Sequence, residues 1–265
     1  MLAATRRSKK GVVRAPPEVV GKANQRPTGY NACRVTGKVV ERAAGVGQSG
    51  YGLPRIARVG VAAKKKSVHA SERDTPAVCQ ARQQYWAQLA TCQFKHLKFV
   101  DEAGCNIAMT PRYGRAARGV RVQDAVPKNF GRNVTILGTL SCHGLDAVMT
   151  VEGATDAAVF RAYVSHVLVP TLQPDDLVIM DNLSAHKVGG IEEAIEATGA
   201  RLLYLPPYSP DYSPIENCWS KLKTHLRKAK ARTREALDEA LKQAIDLVSA
   251  ADARGWFRHC GYALL

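Results

Sequence analysis

Three acidic residues occupy positions from which they could act together. Asp101 follows the mainly apolar run 97–100, Asp181 follows the apolar run 177–180, and Glu216 falls in the first turn of a predicted helix. Open α/β sheets place their chemistry at the carboxyl ends of such buried strands. Three unpaired carboxylates would repel one another, and hard divalent cations such as Mg²⁺ relieve that repulsion by binding oxygen ligands. Two such ions could activate a nucleophile and stabilise the leaving oxygen in phosphoryl transfer.

Each acid also has an ordinary structural explanation. Asp181 could cap the turn after its strand, and the carboxylate of Glu216 suits the positive end of a helix dipole. Taken alone, either explanation would be the better one. The recurrence of a strand followed by an acid at Asp101 and Asp181 favours a shared chemical role.

The surrounding pattern predicts an α/β fold, with a mixed sheet flanked by helices. Apolar runs predict five strands, at 97–101, 133–141, 147–151, 177–181 and 201–205. Apolar residues at helical spacing predict helices at 76–90, at 156–168, shortly after His186, at 215–226 and at 234–249. The aromatic tail 256–262 is expected to dock on the core.

The excess of positive over negative charge lies in the first third of the chain. The 265 residues carry a formal net charge of +15, and residues 1–98 hold 19 of the 38 Lys and Arg but only 4 of the 23 Asp and Glu. A polyanion such as DNA or RNA is the natural partner, because basic side chains neutralise phosphates. The alternative is a basic tail that only keeps the chain soluble. Together with the carboxylates, the charge suggests a nuclease or a polynucleotidyl transferase.

Composition also indicates the compartment. The seven cysteines include no C-x-x-C pair, which predicts reduced thiols in a cytoplasmic protein without a zinc knuckle. No run approaches the roughly 18 apolar residues that span a bilayer, and no apolar stretch follows the basic N-terminus as in a secretory signal. We therefore expect no membrane partner.

Three sequence blocks resemble a known family. Residues 99–102 (FVDE), 180–186 (MDNLSAH) and 205–216 (LPPYSPDYSPIE) are similar to the signature blocks of DDE transposases in the mariner-like superfamily, in the branch found in bacterial insertion sequences. The 34 residues between Asp181 and Glu216 match the spacing of that branch. The resemblance covers roughly residues 64–262, and its last block is the most specific.

The resemblance implies a ribonuclease H-like fold and a reaction dependent on Mg²⁺ or Mn²⁺, with two ions. Water would cleave a phosphodiester at the transposon end, and the freed 3′-hydroxyl would attack target DNA at a TA dinucleotide. Asp101, Asp181 and Glu216 would be the catalytic metal ligands, with Asp181 shared between the ions. The partner would be double-stranded DNA, both transposon inverted repeats and target, in the bacterial nucleoid. Synapsis of two ends would suit a homodimer.

Further residues are candidates for support or for DNA binding. Asn182 and His186 match the second block, and Asn217 follows Glu216; these three could orient ligands or phosphate. A turn histidine satisfied by the backbone is the alternative for His186. Basic residues that could contact DNA phosphates are Lys64, Lys65, Lys66, Lys221, Lys223, Arg227 and Lys228, although basic runs on exposed helix faces are common.

The N-terminal region departs from the family. Family members carry helix-turn-helix units that read the inverted repeats, whereas residues 1–66 are rich in Gly, Pro and basic residues without helical periodicity. We therefore expect a basic, degenerate or disordered region at 1–66, a helical connector at 67–96 and the catalytic domain at 97–265. A remnant or accessory DNA-binding protein without end recognition is the alternative function, and a ribonuclease or resolvase is a weaker third option.

Overall fold

A mixed five-stranded sheet forms the centre of the part of the chain that the structure describes. The computed structural model describes residues 68–183 and 186–262, so the predictions for residues 1–66, including Lys64, Lys65 and Lys66, lie outside the described residues. The strand order is β3-β2-β1-β4-β5. The strands are β1 (Leu97–Cys105), β2 (Val134–Ser141), β3 (Gly144–Glu152), β4 (Leu177–Met180) and β5 (Arg201–Tyr204).

Helices precede, separate and follow the strands. They are α1 (Pro76–Leu89), α2 (Ala157–Tyr163), α3 (Ile191–Glu196), α4 (Pro214–Ala229), α5 (Arg234–Asp246) and α6 (Ala250–His259). The predicted α/β fold is confirmed, as are the five predicted helices. The helix predicted over 156–168 is α2 followed by a π-helical turn at Val164–Leu168. Helix α6 was not predicted, because the aromatic residues at 256–262 indicated only a tail that docks on the core.

The pairing of β1 with two different neighbours determines where the acids lie. Strand β1 pairs in parallel with β4 only as far as Val100 opposite Met180. The next residues are Asp101 and Asp181, so the two acids leave the paired region at the same edge. The prediction that the first strand ends at Asp101 is wrong, because antiparallel pairing with β2 continues to Cys105. Asp101 lies opposite Gly138 in that pairing.

Alternation along β1 divides the core into two layers. Phe99, Ala103 and Cys105 pack in the layer formed with α4, α5 and α6. Val100 packs in the opposite layer, with α2 and α3. Asp101 shares the face of Phe99 and Ala103 and is therefore directed towards α4, whereas Glu102 is directed towards the layer of α2.

Helix α4 owes its stability to a strongly amphipathic sequence. Proline at its first position, Pro214, costs no hydrogen bond there and presets the backbone for a helix. Its buried residues recur at helical spacing and include Ile215, Cys218, Trp219, Leu222 and Leu226. The helix ends at Lys230, which adopts a left-handed conformation with φ of 49°. The core therefore holds the body of α4 firmly beside β1.

Helix α6 begins with a capping box that also binds α4. The Ser249 hydroxyl accepts a hydrogen bond from Asp252 N, and Asp252 Oδ2 accepts one from Ser249 N. Lys221 Nζ lies 2.7 Å from Asp252 Oδ2 and also donates to Leu247 O at 2.7 Å. This spacing of Ser249 and Asp252 is the sequence signal that would have revealed α6.

Two further predictions concern the cysteines and the membrane-spanning segments. Free thiols are present at Cys92, Cys105, Cys142, Cys218 and Cys260. Among the described residues, no helix combines the length and apolar character needed to cross a membrane.

Asp252 is expected to make stability depend on acid pH. Hydrogen bonds from Lys221 and Ser249 lower the pKa of Asp252 from 3.8 to about 2. A carboxyl with a lowered pKa stabilises the fold above its unfolded pKa and loses that contribution as pH falls towards its folded pKa. We expect Asp252→Asn to cost about 1 kcal/mol at pH 7 and to flatten the loss of stability between pH 4 and pH 2. Urea unfolding checks this, and parallel pH profiles for the two proteins would contradict it.

Candidate active site

Asp101 is a half-buried carboxylate held by a tryptophan. Its Oδ2 accepts a hydrogen bond from Trp219 Nε1 at 2.9 Å. Burial raises the pKa of Asp101 from 3.8 to about 7, with added repulsion from Glu216 and Asp181, against the lowering effect of hydrogen bonds from the Glu102 backbone and Trp219. Near neutral pH the metal-free site therefore resists a full negative charge on Asp101.

Trp219 reaches Asp101 because of a glycine on the neighbouring strand. Gly138 is opposite Asp101 in β2, and a Cβ atom there would lie 3.1 Å from Cη2 of Trp219 and 3.3 Å from Cδ1 of Leu145. Any larger residue would press on the indole ring. The helical pattern of the sequence places Trp219 on the apolar face of α4 but does not mark it as a site residue.

Asp181 is the first residue beyond β4 and is more exposed than Asp101. Its side chain is 38% exposed, and its Oδ1 accepts a hydrogen bond from Leu183 N at 3.2 Å. This local bond is the turn-capping contact proposed as its ordinary explanation. The cap uses Oδ1 and leaves Asp181 at the edge next to Asp101.

His186 is buried behind Asp181. The ring is 1% exposed and stacks on Phe160 with a centroid distance of 4.2 Å. Its Nδ1 lies 2.5 Å from Asp181 Oδ1, an ion-pairing distance, but the two groups are not aligned as a hydrogen bond. Burial lowers the pKa of His186, but the stronger combined effect of Asp181 and Glu102 raises it.

Glu102 is a half-buried acid to which the sequence patterns assigned no role. Its Oε2 is buried and lacks a hydrogen-bond partner within the described residues. Its negative charge contributes to the raised pKa of His186. Its position directly after Asp101, on the opposite face of β1, is the signal that could have connected it to His186.

Glu216 approaches the same edge from α4. It lies in the first turn of that helix, and its side chain is exposed. Trp219, which binds Asp101, is three residues further along α4, so both residues belong to the same helical neighbourhood. The effect of Glu216 on the pKa of Asp101 places its charge close to that carboxyl.

The three acids are oxygen donors of the kind that Mg²⁺ and Mn²⁺ prefer. Both Glu216 and Asp181 act on Asp101 electrostatically, and a divalent cation would offset that repulsion. Across 68–183 and 186–262, however, no group of three or more His, Cys, Asp or Glu side chains is arranged closely enough to hold a metal as it stands. The donor types and charges fit a metal site whose ligands would have to draw together around the ion.

The two asparagines predicted to support the site differ in their surroundings. Asn182 is exposed directly after Asp181. Asn217 is half-buried, and its Nδ2 contacts Cys260 Sγ at 3.7 Å, next to the end of α6. That contact directs Asn217 away from the carboxylates.

The basic candidates on α4 also separate into two groups. The ammonium of Lys221 is engaged by Asp252 and Leu247. Lys223 and Arg227 are half-buried, Lys228 is exposed, and these three have no ion-pair partner within the described ranges. Arg227 is therefore better placed than Lys221 to meet a phosphate.

Residues 96–238, more than half of the chain, match the family model described as DDE superfamily endonuclease. The chain belongs to this superfamily. The predicted DDE membership is therefore confirmed, and the superfamily is described as one of endonucleases. No curated protein matches the sequence significantly.

Solved structures of the mariner element Mos1 have a similar fold. A pre-cleavage Mos1 transpososome aligns with a TM-score of 0.60 at 14% identity, over 77% of this chain and 64% of that chain. Mos1 mariner paired-end complexes with Mn and with Mg give TM-scores of 0.55 and 0.53, at 14% and 15% identity, over 77% and 78% of this chain and 64% and 63% of those chains. This chain thus spans slightly less than two thirds of the chains it matches. The predicted ribonuclease H-like fold is confirmed.

Asp101→Asn is expected to stabilise the metal-free protein at alkaline pH. A carboxyl whose folded pKa is raised binds its proton more tightly in the folded state, so stability falls as pH rises from 3.8 towards about 7. Asparagine avoids that cost and still offers an oxygen to Trp219. In EDTA, we expect the variant to exceed wild type by about 1–3 kcal/mol at pH 8 and to match it near pH 4.

Urea unfolding of both proteins at the two pH values measures the difference. Glu239→Gln on α5 is the control, because Glu239 is exposed and its nearest cation, Lys242, is 3.9 Å away. Equal stability of wild type and Asp101→Asn at pH 8 would contradict the raised pKa of Asp101.

Proposed function

We propose that the chain is a DNA transposase that cleaves transposon ends and transfers the freed strand into target DNA at TA dinucleotides. The observation that supports the proposal best is that Asp101 and Asp181 directly follow the last paired residues of β1 and β4, with Glu216 in the first turn of the helix whose Trp219 binds Asp101. Three acids concentrated in this way suit cations and the phosphoryl chemistry that they assist. The family match supports the endonuclease chemistry.

Asp101, Asp181 and Glu216 would hold two divalent ions, Mg²⁺ or Mn²⁺. The ions would supply charge stabilisation for the attacking and leaving oxygens of the phosphodiester. Trp219 would orient Asp101 through its indole N–H, and His186 would hold Asp181 from behind. Asn182, exposed beside Asp181, is the candidate to contact the substrate phosphate. Mos1 paired-end complexes with Mn and Mg are consistent with this assignment.

Double-stranded DNA would be the partner, as inverted repeat and as target. Mos1 forms a paired-end complex with a left transposon end, and by analogy two copies of this chain would bring two ends together. Association with a bacterial nucleoid would follow from DNA binding. We assign catalysis to residues 97–265, with 67–96 as a helical connector.

Basic residues further along α4 would bind the DNA backbone beyond the carboxylates. Glu216, Lys223 and Arg227 are spaced at seven and eleven residues and so share one helical face. Burial and the positive charge of Arg112 lower the pKa of Arg227, so the two guanidinium groups lie near each other. Neither has an ion-pair partner among residues 68–183 and 186–262. A phosphate would relieve their repulsion.

Metal-dependent nicking of a plasmid carrying the element's own ends tests the proposed function. We expect nicking in Mg²⁺ or Mn²⁺ and none in EDTA. Asp181→Asn should reduce the rate by more than about 100-fold, because it removes a proposed metal ligand. The variant Asp238→Asn removes an acid that pairs with Arg234 on α5 and should nick normally. If Asp181→Asn cleaves as fast as wild type, the proposed metal site is wrong.

Arg227→Ala is expected to weaken DNA binding in a salt-dependent way. Loss of one phosphate contact should lower the slope of log affinity against log salt concentration by about 1, whatever the DNA sequence. Lys221→Ala removes the same charge from the same helix but should leave the slope unchanged, since its ammonium is engaged by Asp252. Fluorescence anisotropy over a salt series measures both slopes, and equal effects would contradict the assignment.

A further inference from the structure

Two arginines hold the segment that leads into α4: Arg82 of α1, and Arg73 just before that helix, whose Nη2 lies 3.1 Å from Asp211 Oδ2. Arg82 Nη1 donates to Ser209 Oγ at 2.6 Å and to Asp211 Oδ1 at 3.1 Å, and Nη2 donates to Asp211 Oδ2 at 2.8 Å. The guanidinium also lies over the Tyr212 ring, 3.8 Å from its centroid. We call Arg82, Ser209, Asp211 and Tyr212 the Arg82 anchor. Two parallel hydrogen bonds to one carboxylate fix direction as well as distance.

Aromatic packing makes this attachment rigid. Tyr212 stacks on Tyr85 with a centroid distance of 5.7 Å and meets Trp86 edge-on at 5.1 Å. Tyr262 donates to the Tyr212 carbonyl at 2.6 Å, and its hydroxyl is 2.7 Å from that of Tyr85. The side chain of Arg82 is only 12% exposed, so its ion pair is shielded from water more than most surface pairs.

The anchor bears directly on Glu216. Tyr212 is four residues before Glu216, and the backbone N–H of Glu216 donates to Ser213 O at 3.3 Å. Within 68–183 and 186–262, no hydrogen bond or ion pair holds the Glu216 carboxylate. Ile215 ties the inner side of the first turn to the core, whereas the exposed Glu216 on its outer side also depends on the segment that enters the helix.

We propose that Arg82 is a positioning residue for Glu216, and that α1 is therefore part of the catalytic machinery although it precedes the family match at 96–238. The inference rests on the proposed function of Glu216 as a metal ligand. Arg82 acts through Asp211 and the backbone of Tyr212 and Ser213. Without this anchor, the first turn of α4 would sample several orientations, and Glu216 would meet Asp101 less often.

Arg82→Ala and Asp211→Asn test the anchor because they change charge in opposite directions. The first removes a positive charge and the second removes a negative charge, so an effect on DNA attraction would have opposite signs. A positioning effect has the same sign in both. The control is Asp238→Asn, which breaks another Arg–Asp pair, with the acid 42% exposed against 37% for Asp211.

Three quantities are measured on the full chain. They are Mn²⁺ affinity without DNA, by electron paramagnetic resonance; the single-turnover nicking rate at saturating DNA; and DNA affinity in EDTA. We expect both anchor variants to lose about 10-fold or more in Mn²⁺ affinity and nicking rate, as for other residues that orient metal ligands. The double variant should lose less than the product of the two single losses, since both changes break the same Arg82–Asp211 ion pair. Asp238→Asn should stay within about 2-fold of wild type, as expected for an exposed ion pair.

Wild-type Mn²⁺ affinity and nicking rate in folded Asp211→Asn would overturn the proposal, as would opposite effects of the two variants that follow DNA affinity. Should Arg82→Ala lose its cooperative thermal transition, Asp211→Asn and Ser209→Ala decide between the two outcomes by the same criteria. Failure of the proposed function is a different result. In that case wild type would bind Mn²⁺ no better than Asp181→Asn, or would not nick DNA with any metal.

Discussion

The parallel pairing of β1 with β4 is the constraint on which the candidate site depends. It stops at Val100 and Met180, and the next residue of each strand is an aspartate. Antiparallel pairing with β2 continues past Asp101, so Asp101 cannot move away from Asp181 without loss of sheet hydrogen bonds. The backbone therefore keeps the two carboxyls side by side, and burial, with added repulsion from Glu216 and Asp181, raises the pKa of Asp101. Functional sites commonly carry such local conflicts, which the rest of the fold must support.

Much of this arrangement could be predicted from the sequence, because it follows from local patterns. Apolar runs gave the strands, and the apolar face of α4 gave that helix. The end of β1 was misplaced because pairing with β2 depends on residues 29 to 41 positions away, from Val134 opposite Cys105 to Leu140 opposite Phe99. Helix α6 is short, and its capping box was less conspicuous than its aromatic residues. The three acids could be predicted from the apolar runs, the predicted helix and the family resemblance. Their relative placement in space could be read only from the structure.

Other contacts at the site could not have been predicted at all. The bond between Trp219 and Asp101 joins a residue of the apolar stripe to a polar one, and only the glycine at 138 makes room for it. Arg82 meets Ser209 across 127 residues of sequence. Such contacts have no local signature, because each residue alone is compatible with many environments. Trp219 and Arg82 lie outside the blocks that carry the family resemblance, whereas Ser209 lies within one of them.

Helix α4 combines on one rigid element what other sites distribute over several loops. Glu216 is at its beginning and Arg227 eleven residues later, which at 1.5 Å per residue is about 16 Å along the axis. If the proposed function is correct, α4 fixes the distance between the bond that is cut and a phosphate further along the strand. A DNA strand that follows another path could reach the metal site at Glu216 or the guanidinium of Arg227, but not both. The helix would thus select the course of the backbone independently of its base sequence.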